Sequence, residues 1–181
     1  MILVVDMNWK KDSLGYYEFV LPITQVVREL EGYKVKHYLE VGSEDLADCS
    51  KVILSGTALK DNVTLRRPEK LSWLRALDKP VLGICAGMQS IRLVFDVPLV
   101  KSVEIGMTQV FIVSENSLFS TSLEAYSLHN YSVAPSEHFE VLAKSSLCIQ
   151  AIKHKKKPIY GVLFHPEVRN EEILKRFTQL S

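Results

Sequence analysis

A chain of 181 residues, 47% hydrophobic and 24% charged, has the length of one domain that buries about 70% of its unfolded surface. Its 22 Lys and Arg against 21 Asp and Glu leave a net charge of +1, which gives no electrostatic footprint for nucleic acid or an anionic membrane. Cys49, Cys85 and Cys148 have unrelated spacings, which argues against a disulfide framework and for a reduced, cytoplasmic setting, and no apolar run approaches the roughly 20 residues that span a bilayer.

Met1–Val5 reads as a first buried strand, too short and too uncharged at its start for a signal peptide. The segment 6–18 that follows could reach the face where the strands end and act there as a lid. Phe19–Leu30 is helical by period, with Phe19, Ile23, Val26, Val27 and Leu30 on its apolar face. Val35–Leu39 and Lys51–Leu54 read as strands, Glu69–Leu77 as a helix, and Val81–Ile84 as a strand running straight into a helix over Met88–Phe95. That alternation predicts a doubly wound α/β fold, flavodoxin-like, with a mostly parallel central sheet and helices on both faces. Ligands of such a sheet bind at the carboxyl ends of its strands. The second half changes character. Thr108–Val113, Glu124–His129, Phe139–Lys144, Cys148–His154 and Ile159–Phe164 are short strands separated by turns, before a helix from about Asn170 to Leu180. They predict a small antiparallel extension ahead of the last core strand and helix. No repeat or linker divides the chain, so 1–181 is expected to be a single domain.

Chemistry concentrates in two places. Gly83-Ile84-Cys85-Ala86-Gly87-Met88-Gln89 has the strand–turn–helix order of a nucleophile elbow, where a strained turn lifts the thiol out of the sheet and small neighbours let the backbones pass closely. The N–H groups of the following helix would favour the thiolate. A cysteine between a strand and a helix is also a common buried structural residue. Phe164-His165-Pro166-Glu167-Val168 delivers an imidazole and then a carboxylate. A thiol nucleophile wants the first as its base, and the first wants the second to fix its tautomer. Pro166 biases the link toward extended geometry, so residues 165 and 167 can point the same way. A lone His at a strand end is more often a satisfied polar terminus, but an elbow Cys earlier in the chain shifts that balance.

These two motifs together resemble the class I, triad-type glutamine amidotransferases. Val52-Ile53-Leu54-Ser55-Gly56 resembles the family's strand and oxyanion loop, Glu104-Ile105-Gly106 its Glu-x-Gly segment, and Ile173-Leu174-Lys175-Arg176-Phe177 its closing helix. The resemblance spans nearly the whole chain. It implies L-glutamine as substrate and Cys85, His165 and Glu167 as a catalytic triad acting through a γ-glutamyl thioester. It also implies an oxyanion hole from the backbone N–H groups of Ala86 and of Gly56 or Thr57. Gln89, one helical turn past Cys85, would bind the substrate, and the loop His129-Asn130-Tyr131 would lend it backbone groups. Where the family carries two glycines and a proline, this chain has Gly56-Thr57-Ala58, and a β-branched Thr57 resists positive φ. The second oxyanion donor is therefore expected to depend on the geometry of that loop, or on its flipping when a partner binds.

No cofactor is expected, and no metal, because no Cys/His pair has the sequence spacing of a zinc site. The basic run Lys153-His154-Lys155-Lys156-Lys157 reads as a solvated hairpin tip. Ammonia released in water is lost, so a glutaminase of this size would serve a separate synthetase subunit. Lys157-Pro158-Ile159-Tyr160 and His129-Asn130 look most like the stand-alone glutaminase subunits of GMP synthetase, whose partner is an ATP-dependent synthetase subunit. The segment 6–18 is longer than that branch usually carries. Two other readings stay open: a stand-alone hydrolase of γ-glutamyl or related amides, and a non-catalytic regulatory subunit whose altered loop no longer completes the site.

Overall fold

The computed structural model describes all residues 1–181. Nine strands form one sheet in the order β2-β1-β3-β4-β9-β8-β7-β5-β6. These strands are β1 Ile2–Asp6, β2 Tyr33–His37, β3 Lys51–Leu54, β4 Val81–Ile84, β5 Leu99–Ile112, β6 Leu123–Val133, β7 Phe139–Lys144, β8 Ile149–His154 and β9 Ile159–Val162. The first five in spatial order run parallel, and β8, β7, β5 and β6 continue the sheet antiparallel. Within the parallel part, β1, β3, β4 and β9 are buried on both sides, which is why they read in the sequence as apolar runs, while the edge strand β2 is half-exposed and carries two lysines.

Alternate residues of β1 supply two different cores. Ile2 and Val4 pack with α1 Leu21–Val27 and α4 Glu172–Gln179, through Ile23, Val27, Leu174 and Phe177. Leu3 and Val5 face the opposite layer, where α3 Ala86–Val94 contributes Met88 and Ile91. The period-2 alternation of a strand thus builds both layers at once.

Four elements differ from the sequence reading. The expected helix 19–30 is a π-helical turn at Tyr16–Val20 followed by α1, with Leu21 N–H reaching back to Tyr16 O. Pro22 is the second residue of α1 and has no N–H of its own to give to the preceding turn. Leu30 lies beyond the helix and is exposed. The stretch expected as a helix over 69–77 is a 3₁₀ helix, Pro68–Arg75, whose buried Leu71 and Leu74 are three residues apart and so fall on one face. A short helix, α2 Ser43–Asp48, has no counterpart among the expected elements. Most consequential, β5 starts at Leu99 rather than Thr108 and carries an inverted pattern. Val103, Ile105, Met107 and Phe111 point to solvent, while Glu104 and Val110 point inward.

The elbow is built by interlocked glycines. A Cβ on Gly83 would lie 2.6 Å from the Gly87 carbonyl carbon, and a Cβ on Gly87 would lie 2.5 Å from Leu54 O. Helix α3 can therefore sit against β3 and β4 only with no side chain at either place. Gly87→Ala is expected to destabilise the fold by about 1–3 kcal/mol, at the upper end because the clash is with backbone that cannot rotate away. Urea unfolding measures it; an unchanged midpoint would show that the contact can relax.

Candidate active site

The three segments singled out in the sequence leave the carboxyl ends of three adjacent parallel strands. Ser55-Gly56-Thr57 follows β3, Cys85 follows β4, and His165 lies just past β9. Pairing of β3 with β4 and of β4 with β9 therefore brings together residues as much as 110 positions apart.

Cys85 adopts φ 47° and ψ −104°, a conformation that non-glycine residues rarely hold. The strain is sustained by its surroundings: Cys85 N–H donates to Val162 O at 2.8 Å, and Cys85 O accepts from Gln89 N–H at 2.9 Å. Its sulfur lies 3.5 Å from Leu128 O. Ala86 opens α3, so its N–H has no intrahelical acceptor.

His165 is fully buried, with Nδ1 2.7 Å from Glu167 Oε1. Nδ1–H donates to that carboxylate, leaving Nε2 toward Cys85 with no completed hydrogen bond. Burial alone would discharge the ring. The negative charge of Glu167, and then the neighbouring Cys85 sulfur, outweigh it and hold the imidazole well above its usual range. Phe19 packs on one side of the ring, with centroids 5.4 Å apart, and His165 N–H donates to Tyr126 O at 2.8 Å.

Gly56 has no room for a side chain: a Cβ there would lie 2.6 Å from His165 Cε1. The same added atom would lie 3.6 Å from Cys85 Cβ, so this peptide borders the sulfur. Neither Gly56 nor Thr57 has positive φ, so Thr57 occupies the loop without the strain anticipated for a β-branched residue. Ser55 Oγ donates to Gly56 O at 3.0 Å and accepts from Met7 N–H at 3.1 Å, which fixes the Gly56–Thr57 peptide. The N–H groups of Gly56 and Thr57 donate to no protein group, although both residues are buried.

The expected substrate contacts are brought to the same place, with changed parts. Cys85, Gln89, Leu128, His129, Asn130, Tyr131 and the 57–62 loop line one small cleft, closed down to about 10 Å³. The strand was expected to end at His129, with Asn130 and Tyr131 in a loop; all three lie within β6, where His129 pairs with Glu104 and Tyr131 with Lys101. Gln89 does not present a free amide, because its Nε2 donates to Tyr131 O at 2.7 Å. The His129 side chain is turned away toward Glu104 and Ser102, and burial lowers its proton affinity. Asn130 Nδ2 donates to Leu59 O at 3.0 Å and Thr57 Oγ1 to Asp61 O at 3.0 Å, holding the 57–61 loop over the cleft. On the far side of that loop, Asp61 Oδ2 accepts from Trp9 N–H at 2.7 Å. There the 8–18 segment encloses a cavity of about 660 Å³. The long segment thus reaches the carboxyl-end face but borders the loop and not the cleft itself.

Tyr126 and Leu128 were missed in the sequence, and Ser55 was read there only as part of the oxyanion loop, with no locking role. Tyr126 and Leu128 act through carbonyl oxygens, which every residue has, so only strand pairing could have revealed them.

The class-I glutamine amidotransferase family profile matches residues 16–179. Among curated proteins, the chain is 42% identical over 179 residues to a glutamine-hydrolyzing GMP synthase subunit from Methanocaldococcus jannaschii, covering 92% of this chain and 86% of that one. It is 33% identical over 176 residues to the protein of the same name from Methanosphaera stadtmanae, covering 89% and 83%. Among solved structures, one from Thermoplasma acidophilum superposes with a TM-score of 0.85 at 26% identity, over 99% of this chain and 92% of the other. A Thermotoga maritima glutamine amidotransferase shares the fold at a TM-score of 0.69 and 20% identity, over 99% and 81%.

Proposed function

The chain belongs to the class-I glutamine amidotransferases, and from that premise we propose that it is the glutaminase subunit of a two-subunit GMP synthetase, with Cys85, His165 and Glu167 as its triad. The observation that carries the assignment of roles is a buried His165, clamped by Glu167, beside a cysteine on a strained elbow.

In this reading the Cys85 thiolate attacks the side-chain carboxamide carbon of L-glutamine, and the carbonyl electron pair moves to oxygen. Ala86 N–H, with Gly56 N–H or Thr57 N–H, receives that oxyanion; each such donor is worth about 10²- to 10³-fold in rate. His165 gives its proton to the amide nitrogen as the C–N bond breaks, so ammonia leaves and a γ-glutamyl thioester remains on Cys85. The neutral imidazole then takes a proton from water. The resulting hydroxide attacks the thioester, and glutamate and the thiolate are released with His165 protonated again. Glu167 keeps the ring aimed and stabilises its charge in both half-reactions.

Closure of the cleft supports partner dependence. A space of about 10 Å³ holds no amino acid, and the groups that would greet one, Gln89 Nε2 and Asn130 Nδ2, are tied to Tyr131 O and Leu59 O. Docking of the synthetase subunit would move the 57–61 loop and free Asn130 Nδ2 from Leu59 O. We place the protein in the cytoplasm as a single glutaminase domain spanning 1–181; its cysteines are free thiols, and no helix is long and apolar enough to cross a membrane.

The test is ammonia release from L-glutamine by the purified chain, alone and with an ATP-dependent GMP synthetase subunit. A rise of about tenfold or more on adding that subunit is expected, the size of a modest population shift. Brisk turnover that ignores the synthetase would instead identify an independent amide hydrolase. Silence under both conditions, with Cys85 inert to a glutamine-like electrophile, would identify a non-catalytic subunit.

A further inference from the structure

Behind the cleft, on the hairpin that covers it, Glu104, His129 and Cys148 converge from β5, β6 and the start of β8. Their ligand atoms all lie within 4.8 Å of one another. Glu104 and His129 are directly opposed across the β5–β6 pair, beside a break in its register between Lys101 and Glu104. Glu104 Oε2 lies 3.2 Å from His129 Nε2, 3.1 Å from Cys148 Sγ and 2.5 Å from Gln150 Nε2.

The tautomer of His129 makes this cluster unusual. Its Nδ1 is 3.0 Å from Ser102 O, and a carbonyl can only accept, so Nδ1 carries the hydrogen. In the neutral ring Nε2 is then a bare lone pair, 2% exposed as a residue, without a hydrogen-bond partner, and aimed at a carboxylate oxygen. Two lone pairs 3.2 Å apart in a buried site repel unless a cation lies between them. Gln150 Oε1, on a side chain with no exposure, is a third acceptor there without a partner.

We infer that Glu104, His129 and Cys148 form a binding site for a transition-metal dication of the zinc type. A carboxylate, an imidazole and a thiol suit Zn²⁺ and not Mg²⁺ or Ca²⁺, which prefer all-oxygen sets. A tetrahedral ion at the usual ligand distances separates its ligand atoms by roughly 3.3–3.7 Å, so Glu104 Oε2 need draw back from His129 Nε2 and Cys148 Sγ by only a few tenths of an ångström. Donation of Nδ1–H to a backbone carbonyl is the arrangement that orients metal-bound histidines. Binding releases one proton, from the Cys148 thiol, to solvent. The ion enters from the side on which Cys148 lines a surface cavity of about 350 Å³ with Ser102, Ser145 and Leu147. The fourth position falls to water or to the Gln150 amide. Such a brace would pin β6, whose Leu128 and Tyr131 carbonyls touch Cys85 and Gln89. The site stands on its own geometry and holds whether or not the proposed synthetase partner is correct.

The test is Co²⁺ titration of the full chain carrying Cys85→Ser, which removes the other active-site thiol. One Co²⁺ per chain with a sulfur-to-cobalt charge-transfer band is expected, displaced by Zn²⁺. Adding Cys148→Ser should abolish the band and weaken Zn²⁺ binding by more than the about 10- to 100-fold that loss of a mere supporting hydrogen bond costs. Zn²⁺ should also raise the melting temperature of Cys85→Ser and not that of the double variant. No band while Cys148 is present would overturn the inference and leave a proton as the cation between Glu104 and His129. A band that survives Cys148→Ser would overturn it as well.

Discussion

Cys85→Ala is expected to lower glutamine turnover, measured with the synthetase subunit present, by about 10⁴- to 10⁶-fold, the range seen when a triad nucleophile is lost. Neither remaining thiol can substitute. Cys49 is buried near α2, where its sulfur faces Leu46 O, and Cys148 faces Glu104. Oxyanion donors and substrate contacts would survive the substitution, but with no atom to bond the carbonyl carbon they have little to stabilise. The fold should be kept, because the bonds that hold the elbow, Cys85 N–H to Val162 O and Gln89 N–H to Cys85 O, are backbone bonds. Circular dichroism and a urea midpoint near wild type establish that. Turnover above about one hundredth of wild type in a folded variant would sink the thioester mechanism.

His165→Ala should cost about 10⁴-fold, since one proton carrier serves both half-reactions. This change also strands Glu167, a buried carboxylate whose Oε1 has only the imidazole as its charged partner and whose Oε2 has no partner. Breaking a buried pair typically costs about 3–5 kcal/mol, so the single variant should be markedly less stable. Combining His165→Ala with Glu167→Gln removes the stranded charge. The double variant should recover much of the stability and none of the turnover, which separates the catalytic effect from the structural one.

The same pair predicts a pH dependence. Because the folded protein holds the His165 proton more tightly than the unfolded chain, its stabilising contribution is fully present below pH about 6.5 and is lost as pH rises through the raised folded value. Turnover should follow the same limb. It should persist through neutrality and fall only in the alkaline range, where no proton is left for the departing nitrogen. A limb centred near about 6.5 would mean an ordinary, unpaired imidazole.

The strands β3 and β4 were legible to the residue, because a strand buried on both faces is an apolar run whatever surrounds it. Leu99–Lys101 and the next few residues of β5 were not. There the apolar residues face outward and Glu104 faces inward, so the usual polarity test gives the wrong side. The π turn before Pro22 was hidden as well, because the 3.6-residue period of Phe19, Ile23 and Val27 runs straight through it.

By itself the sequence determined the elbow at Cys85, the order His165-Pro166-Glu167, and the doubly wound arrangement that brings them together. These rest on short-range rules: which residues tolerate a strained turn, which stiffen a link, which alternate. Tertiary structure alone decided that the Gly56–Thr57 peptide is locked by Ser55, that Gln89 is tied to Tyr131, and that His165 is buried with its proton affinity raised by Glu167. It also decided that Glu104, His129 and Cys148, spread over 45 positions, meet at one point. The physical reason is common to all of these. Each depends on carbonyl directions, burial and cross-strand register, and those exist only once β3, β4, β9 and the β5–β6 pair have found one another.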